Sequence, residues 1–259
     1  MGGSRLDVMQ RLVFFLYRIV LIPVFFFLSF VWAIICYVTH LFPGGEDRAH
    51  RYLIGWARFS IRLARLDVTV AGLERLDLHQ TYVFMPNHAS FLDILLVFAF
   101  IPHNFRSIVK KEFFSIPFLG LTVKSSGQIP LDRKHPRKGL QAIKKAADLL
   151  KSGVSIVVFP EGTRSRDGKV HEFKTTLFIL PIRAKVAVVP VLIEGTFHAL
   201  RRGSVLIKRR PTKVTFLDPM PTDSLSDKDR ASFAEKVRRS LIVSSDATPF
   251  AAKMKTVCS

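Results

Sequence analysis

Cysteine is scarce in this chain of 259 residues, which contains two. Cys36 lies in an apolar run and Cys258 lies near the last residue, so a disulfide-stabilised scaffold is excluded and a reducing compartment is expected. The eight histidines show neither an H-E-x-x-H motif nor a Cys/His ligand spacing. We therefore expect no metal and no cofactor.

Two common catalytic motifs are also missing from the sequence. There is no G-x-S-x-G turn and no G-x-x-x-x-G-K-[ST] loop. Their absence argues against serine hydrolases of the α/β type and against P-loop nucleotide hydrolases.

Acidic residues are few relative to basic ones. The chain has 39 Lys and Arg against 20 Asp and Glu, a net charge of +19, which suits nucleic acid, an anionic membrane or a phosphorylated small molecule. Nucleic-acid binding would predict aromatic side chains interleaved with basic ones, or a helix-turn-helix or zinc spacing. The 23 phenylalanines instead cluster in apolar runs, so we expect a membrane partner and no nucleic acid.

The N-terminal region contains a long uncharged run, "IVLIPVFFFLSFVWAIICYV" at 19–38. Its length predicts a membrane helix, and no small-residue cleavage site follows it as in a signal peptide. After a Pro-Gly-Gly turn, residues 46–66 predict a basic amphipathic helix. Arginines flank the run on both sides, so a hairpin dipping into one leaflet and a single span both fit, beside a buried helix of a soluble protein. We assign residues 1–65 to an N-terminal membrane-associated helical hairpin.

The rest of the chain, 66–259, predicts one α/β domain of the size of a catalytic domain. Short β-branched runs predict strands at 66–72, 81–85, 106–110, 126–132, 154–160, 185–195, 204–210 and 212–220. Helical patterns fall near 91–100, 136–151, 174–184 and 226–244. This alternation indicates a mixed, largely parallel sheet flanked by helices.

One candidate catalytic pair stands in "NHASFLD", directly after a predicted strand. Asp93 can reach the ring of His88 if the histidine lies in the loop before the helix, and the pair would then act as a general base. Asn87 and Ser90 are suitable helix-capping residues. The alternative is a plain loop histidine with Asp93 favoured by the helix dipole.

Other polar motifs also follow predicted strands. "FPEGTRS" combines Gly162 for a tight turn with Arg164, a planar fork for phosphate, and Glu161, an acceptor; the alternative is a solvated turn with a surface Glu–Arg pair. Arg133 begins a basic cluster in "PLDRKHPRKG", which fits an anion site or a solvated face. Lys110 precedes the apolar "FFSIPFLG", which fits a membrane-facing lip or a lid.

Together, four ordered blocks resemble the glycerolipid acyltransferase family, in particular the bacterial 1-acyl-sn-glycerol-3-phosphate acyltransferases. The blocks are "NHASFLD" (87–93), "GQIPLDR" (127–133), "FPEGTRS" (159–165) and "VVPVLIEG" (188–195). The stretch "VKKEFFSIPFLG" also looks like a family segment, with Lys110 at the family's lysine. The resemblance covers about residues 66–200 and implies the glycerol-3-phosphate acyltransferase-like fold.

The resemblance also implies roles for the site residues. His88 would be the general base for the free sn-2 hydroxyl of 1-acyl-glycerol-3-phosphate, and Asp93 would orient it. Three cations, Arg133, Arg164 and Lys110, would bind the acceptor's phosphate. The remaining substrate-binding positions, which shape the glycerol site, would be Glu161, Gly162 and Thr163.

The partners implied are a lysophospholipid acceptor, acyl-CoA or acyl carrier protein as donor, and an anionic membrane surface. The expected location is the inner membrane, with the active site facing the cytoplasm.

The sequence departs from the family pattern after the third block, where Thr176 replaces a usual glycine and Pro181 falls inside a predicted helix. An acceptor such as a lyso-aminolipid would therefore fit as well. A hydrolase of thioesters or lysolipids and a membrane binder without catalysis remain as alternatives.

Overall fold

The N-terminal apolar run forms one long helix. In the computed structural model, which describes residues 5–132, 135–204 and 207–247, helix α1 spans Arg5–His40 and includes Pro23. Its segment Pro23–His40 is long and apolar enough to cross a membrane, by length and composition. Many of its large apolar side chains, including Phe26, Phe27 and Ile34, are exposed.

A second helix, α2, spans Gly45–Leu63 and turns back along α1. The indole N–H of Trp32 donates to the backbone carbonyl of Tyr52 at 2.6 Å, and that of Trp56 donates to the Ser29 hydroxyl at 3.1 Å. Along α2 the buried positions recur every three or four residues, at 49–50, 53, 57 and 60–61, as expected for an amphipathic helix. Two helices thus follow one another as predicted, whereas the membrane-associated hairpin assigned to residues 1–65 stays a prediction.

The chain divides into two units, one containing Met1–Trp56 with Phe113–Gly127 and the other containing Ala57–Glu112 with Gln128–Ser259. In the first unit, helix α4, Leu119–Ser125, packs against α1. The rings of Phe30 and Phe118 meet edge to face, with centroids 4.6 Å apart. The apolar stretch "FFSIPFLG" therefore belongs with the N-terminal helices, whereas the domain boundary expected at residue 65 stays a prediction.

The second unit is built on a sheet whose described strands run in the order β1-β7-β6-β2-β5-β3-β4. The strands are β1 Asp67–Ala71, β2 Val83–Pro86, β3 Phe105–Lys110, β4 Ile129–Leu131, β5 Ser155–Val157, β6 Val188–Glu194 and β7 Pro211–Phe216. All pairings between these strands are parallel except that of β6 with β7. The predicted mixed, largely parallel sheet is confirmed.

The other described helices of this unit are α3 Leu92–Phe100, α5 Pro136–Lys151, α6 Ile179–Ala184, α7 Thr196–Ala199 and α8 Arg230–Ala247. Short 3-10 helices cover Leu73–Arg75, Lys111–Ser115, Thr175–Phe178 and Asp227–Asp229.

Successive side chains of β2, all buried, point to opposite faces of the sheet. On one face, Val83 and Met85 join a core with residues of α5, α6 and α8. From the other face, Phe84 contacts the ring of Phe216 at 6.2 Å. On α3, Phe98 packs on Phe105 of β3 at 5.1 Å, so the sheet is covered by helices on both sides.

Two sequence predictions were wrong in detail. The run 204–210 carries no strand at its described residues, Ser204 and 207–210, because it is exposed and lacks a ladder partner. The helix predicted over 174–184 is divided into the 3-10 helix Thr175–Phe178 and α6. Pro181 thus lies in the first turn of α6, where its missing N–H costs no helical hydrogen bond and no kink is needed.

Candidate active site

The predicted polar motifs gather at one edge of the sheet. Strands β2, β5, β3 and β4 are parallel neighbours, so their carboxyl ends lie along the same edge. His88 follows β2, Glu161 follows β5 and Lys110 ends β3. Arg133 follows β4 in the sequence and lies outside the described residues, so its role stays a prediction.

His88 and Asp93 form a direct pair. Nδ1 of His88 lies 2.9 Å from Oδ2 of Asp93, a side chain that is fully buried. The same oxygen accepts the backbone N–H groups of Ala89, at 2.6 Å, and Ser90, at 2.7 Å. Because Asp93 stands in the first turn of α3, these N–H groups and the helix dipole both stabilise its negative charge.

The geometry determines which ring nitrogen of His88 can act as a base. Oδ2 of the Asp93 carboxylate is an acceptor, so Nδ1 carries the proton and Nε2 keeps its lone pair. The ring also packs against Phe159, with centroids 4.2 Å apart. With its side chain 12% exposed, His88 presents one basic nitrogen from a fixed ring.

Glu161 ties the turn after β5 to the turn after β2. Its Oε1 accepts the backbone N–H of His88 at 2.8 Å, and its Oε2 accepts that of His171 at 3.3 Å. In return, the N–H of Ser165 donates to the carbonyl of His88 at 2.7 Å. Burial raises the pKa of the Glu161 carboxyl above its ordinary value, although the hydrogen bonds from His88 and His171 oppose the shift.

The turn at 162–164 leaves one cation free. Gly162 has φ +72°, and a Cβ there would come within 2.9 Å of Cε of Lys174, so another residue would be strained. The Thr163 hydroxyl donates to the carbonyl of Arg164 at 3.2 Å. Within the described ranges, the Arg164 guanidinium forms neither a hydrogen bond nor an ion pair. The next residue, Ser165, donates its backbone N–H to the carbonyl of His88.

Asp167 orders the loop that follows this turn. Its Oδ1 accepts the Ser165 hydroxyl at 2.8 Å and the N–H of Lys169 at 3.0 Å, and it lies 2.8 Å from Nε2 of His171. These hydrogen bonds hold the pKa of Asp167 well below its usual range. The loop is thereby folded back so that the backbone of His171 reaches Glu161.

Lys110 is less firmly placed. Its side chain is 48% exposed, and its Nζ lies 3.5 Å from Oε1 of Glu112, itself exposed. The neighbouring Lys111 is instead fixed, because its Nζ donates to Oδ2 of buried Asp132 at 2.6 Å. Nδ1 of His135 lies 2.9 Å from the same oxygen, so the Asp132 carboxylate contacts both Lys111 and His135.

The His88 turn is anchored by contacts that the sequence does not reveal. Asn87 does not cap α3: its Nδ2 donates to the carbonyl of Ile193 at 2.9 Å, and its Oδ1 accepts the N–H of Ile193 at 2.7 Å. Ser90 accepts the N–H of Leu92 at 3.4 Å, as a cap would, and donates to the carbonyl of Leu200 at 2.8 Å. An asparagine directly after a strand was the available signal, but its partner is 106 residues away.

Comparisons with known proteins identify relatives of this chain. A family model described as Acyltransferase matches residues 67–194. The chain is 34% identical over 203 residues to the chloroplastic 1-acyl-sn-glycerol-3-phosphate acyltransferase LPAT1 of Arabidopsis thaliana, covering 76% of this chain and 56% of that protein. It is 31% identical over 176 residues to 1-acyl-sn-glycerol-3-phosphate acyltransferase alpha of Homo sapiens, covering 68% of this chain and 62% of the human protein. The chain thus spans between half and two thirds of these relatives.

The fold is also shared with a solved structure. The crystal structure of the 1-acyl-sn-glycerophosphate acyltransferase PlsC from Thermotoga maritima superposes with a TM-score of 0.66 at 24% identity, covering 86% of this chain and 96% of that one. By the family model and the curated relatives, residues 67–194 therefore belong to the acyltransferase family, and the solved structure shares the fold.

Proposed function

We propose that the chain transfers an acyl group from an acyl thioester to the free sn-2 hydroxyl of 1-acyl-glycerol-3-phosphate, which yields phosphatidic acid for phospholipid synthesis. The observation that carries the proposal is the buried Asp93–His88 pair joined, through Ser165, to a turn with a free guanidinium at Arg164. A base beside an unpaired cation suits an acceptor that carries both a hydroxyl and a phosphate.

The transfer needs one base and no covalent enzyme intermediate. Nε2 of His88 takes the proton from the acceptor's hydroxyl as that oxygen attacks the thioester carbonyl carbon. The C–S bond then breaks, the ester forms, and the departing thiolate takes the proton back from His88 as free thiol. Asp93 stabilises the imidazolium that exists between the two proton transfers. No cofactor is required, since the thioester supplies the activated acyl group.

Arg164 is the principal phosphate ligand in this proposal. Guanidinium binds phosphate through paired hydrogen bonds, and Arg164 has no competing carboxylate among the described residues. Lys110, at the same edge of the sheet, and Arg133 add positive charge. Glu161 acts on the glycerol site through the shape of the turn, because both its oxygens are already bonded to backbone N–H groups.

The acceptor and the product are amphiphiles, so the enzyme works at a membrane surface. Helix α1 supplies an apolar segment of sufficient length, and the excess of basic residues suits anionic lipid. A cytosolic thioester donor, either acyl-CoA or acyl carrier protein, implies that the active site faces the cytoplasm at the inner membrane.

The test is an assay of thiol release by the full chain in detergent, with an acyl thioester of coenzyme A or of acyl carrier protein as donor. Release should depend on lysophosphatidic acid and should be abolished in His88→Ala while membrane association persists. Equal release without an acceptor would indicate a hydrolase and contradict the proposal.

A panel of lysolipid acceptors with one labelled donor tests the substrate. The proposal expects the phosphate-bearing acceptor to have the highest kcat/KM. Preference for a lyso-aminolipid would contradict that assignment and leave the acyl transfer in place.

A further inference from the structure

A cluster of basic residues stands between α7 and β7. The sequence from 201 to 210 reads "RRGSVLIKRR", with two cations before an apolar centre and three after it. From residue 195 to residue 217 the chain contains no aspartate or glutamate. We call the described residues 201–204 and 207–210 the cationic loop.

The two arms of the cationic loop are held side by side. The N–H of Lys208 donates to the carbonyl of Ala199 at 2.8 Å, which closes the loop at its base, and Ser204 donates to the carbonyl of Arg201 at 3.1 Å. Burial, together with the charges of Arg201 and Arg210 from opposite arms, lowers the pKa of His198. Positive charge from both arms is therefore concentrated at one place.

Most of this charge has no partner in the part of the chain that the structure describes. Among the described residues, the side chains of Arg201, Arg202, Lys208 and Arg209 form no hydrogen bond and no ion pair. Ile207, in the centre, is 40% exposed. Exposed cations without a carboxylate partner, next to the exposed apolar side chain of Ile207, favour binding to an anionic, partly apolar surface.

The base of the cationic loop touches the catalytic turn. The carbonyl of Leu200 accepts the hydroxyl hydrogen of Ser90 at 2.8 Å, and the N–H of Ser90 bonds Oδ2 of Asp93 at 2.7 Å. Two hydrogen bonds thus link the loop to the carboxylate that orients His88. A surface that binds the cationic loop therefore also positions the catalytic base, His88, relative to that surface.

We propose that the cationic loop docks on an anionic bilayer, with its basic side chains on lipid phosphates and Ile207 at the boundary with the acyl chains. Cations on both sides of an apolar centre are typical of membrane-interface elements, which is why a bilayer fits better than an acidic carrier protein. The inference rests on the proposed function in one respect, that the acceptor is a membrane lipid. Docking would then place His88 beside an acceptor that never leaves the bilayer.

The first experiment measures insertion and needs no activity. Ile207→Cys, in the full chain with Cys258→Ser, is labelled with an environment-sensitive fluorophore and mixed with vesicles of phosphatidylglycerol or phosphatidylcholine. The label should enter lipid on phosphatidylglycerol and be quenched by a lipid-borne nitroxide. A label at Leu78→Cys, an equally apolar position that is 65% exposed and precedes β2 at the opposite edge of the sheet, should stay in water. A label at 207 that stays in water on both lipids would overturn the proposal.

The second experiment reverses charge. Arg201→Glu with Arg202→Glu is compared with Lys144→Glu and Lys145→Glu, exposed residues of α5 that give the same change in net charge. Each cation near an anionic surface strengthens binding roughly five-fold, so the loop variant should lose at least ten-fold in acyl transfer to acceptor embedded in phosphatidylglycerol. It should stay within about two-fold of the unmodified chain when the acceptor is dispersed in neutral detergent.

The outcomes separate this proposal from the proposed function. A raised KM for acyl-CoA or acyl carrier protein in both media would mean that the loop receives the donor, and would overturn bilayer docking. Equal losses in the loop and α5 variants would also overturn it. An unmodified chain without acyl transfer in either medium, whose label still enters anionic lipid, would contradict the proposed function and support the docking.

Discussion

Oδ2 of Asp93 lies 2.9 Å from Nδ1 of His88 and is at the same time the acceptor for the backbone N–H groups of Ala89 and Ser90. One carboxylate oxygen therefore fixes both the ring of the base and the backbone that carries it. The other oxygen, Oδ1, is buried and has no partner among the described residues. The pair is thus arranged to hold the imidazole and its charge.

Asp93→Asn should separate charge from geometry. An amide oxygen can still accept from the turn, but the neutral side chain no longer stabilises the imidazolium. We expect kcat to fall about 10²- to 10⁴-fold, the usual contribution of acid–base assistance, while the KM of the acceptor changes little. Steady-state kinetics measures both constants, and thermal unfolding checks that the variant is folded. A kcat within three-fold of that of the unmodified chain would show that Asp93 has no part in the mechanism.

Glu161→Gln should weaken the hydrogen bonds that hold the backbone of His88 and His171. Gln can accept one of the two N–H groups, from His88 or His171, but its NH₂ would face the other. An unsatisfied buried N–H costs about 1 to 3 kcal/mol, so we expect lower stability and a lower kcat together. Glu172→Gln, the same change at an exposed position on the same loop, is the control and should be neutral in both measurements.

Arg164→Ala should weaken acceptor binding. A charge-assisted hydrogen bond contributes about 1.5 to 3 kcal/mol, which corresponds to about a ten-fold to hundred-fold rise in the KM of a phosphate-bearing acceptor, with the KM of the donor unchanged. Arg166→Ala removes an exposed arginine two residues away and should leave both constants as they are. Equal effects of the two substitutions would show a general charge effect in place of a phosphate site.

Glu194→Gln should change how stability depends on pH. Burial raises the pKa of Glu194 to about 7 from 4.5, against the opposing charge of Lys213. Between these values the folded chain holds a proton that the unfolded chain has released, so the free energy of unfolding falls as pH rises from about 4.5 to about 7. The variant should lack this contribution.

Thermal unfolding in detergent at pH 5 and pH 7.5 tests the effect of Glu194. The stability of Glu194→Gln relative to the unmodified chain should rise between the two pH values. If the variant and the unmodified chain differ in stability by the same amount at pH 5 and at pH 7.5, the raised pKa of Glu194 is contradicted.

The sheet was predictable because its strands are short apolar runs of β-branched residues between helical patterns. The runs that became β1 to β7 can each be found in the sequence, and the polar motifs lie directly after them. The run 204–210 has the same composition and forms no strand at its described residues. Composition reports the tendency to be extended, whereas a strand also needs a neighbour to satisfy its backbone groups.

The site was predictable in its residue types and not in its contacts. His88 and Asp93 are five residues apart, so local geometry alone permits their hydrogen bond. Asn87 bonds Ile193, and Glu161 bonds the backbone of His88 at a separation of 73 residues. Such contacts depend on the strand order, which places β5 and β6 on either side of β2.

The sequence by itself determined the classes of side chain at this site, the apolar N-terminal helix and the alternation of strands and helices, because each is written in local patterns of polarity. Only the tertiary structure decided that the "FFSIPFLG" stretch packs with α1, that Glu161 supports the backbone of His88, and that the cationic loop is linked to the catalytic turn through Ser90. The physical reason is the same in each case. A hydrogen bond or a packed ring pair between distant segments is fixed by the order in which strands and helices assemble, and that order is not encoded in any single stretch of the chain.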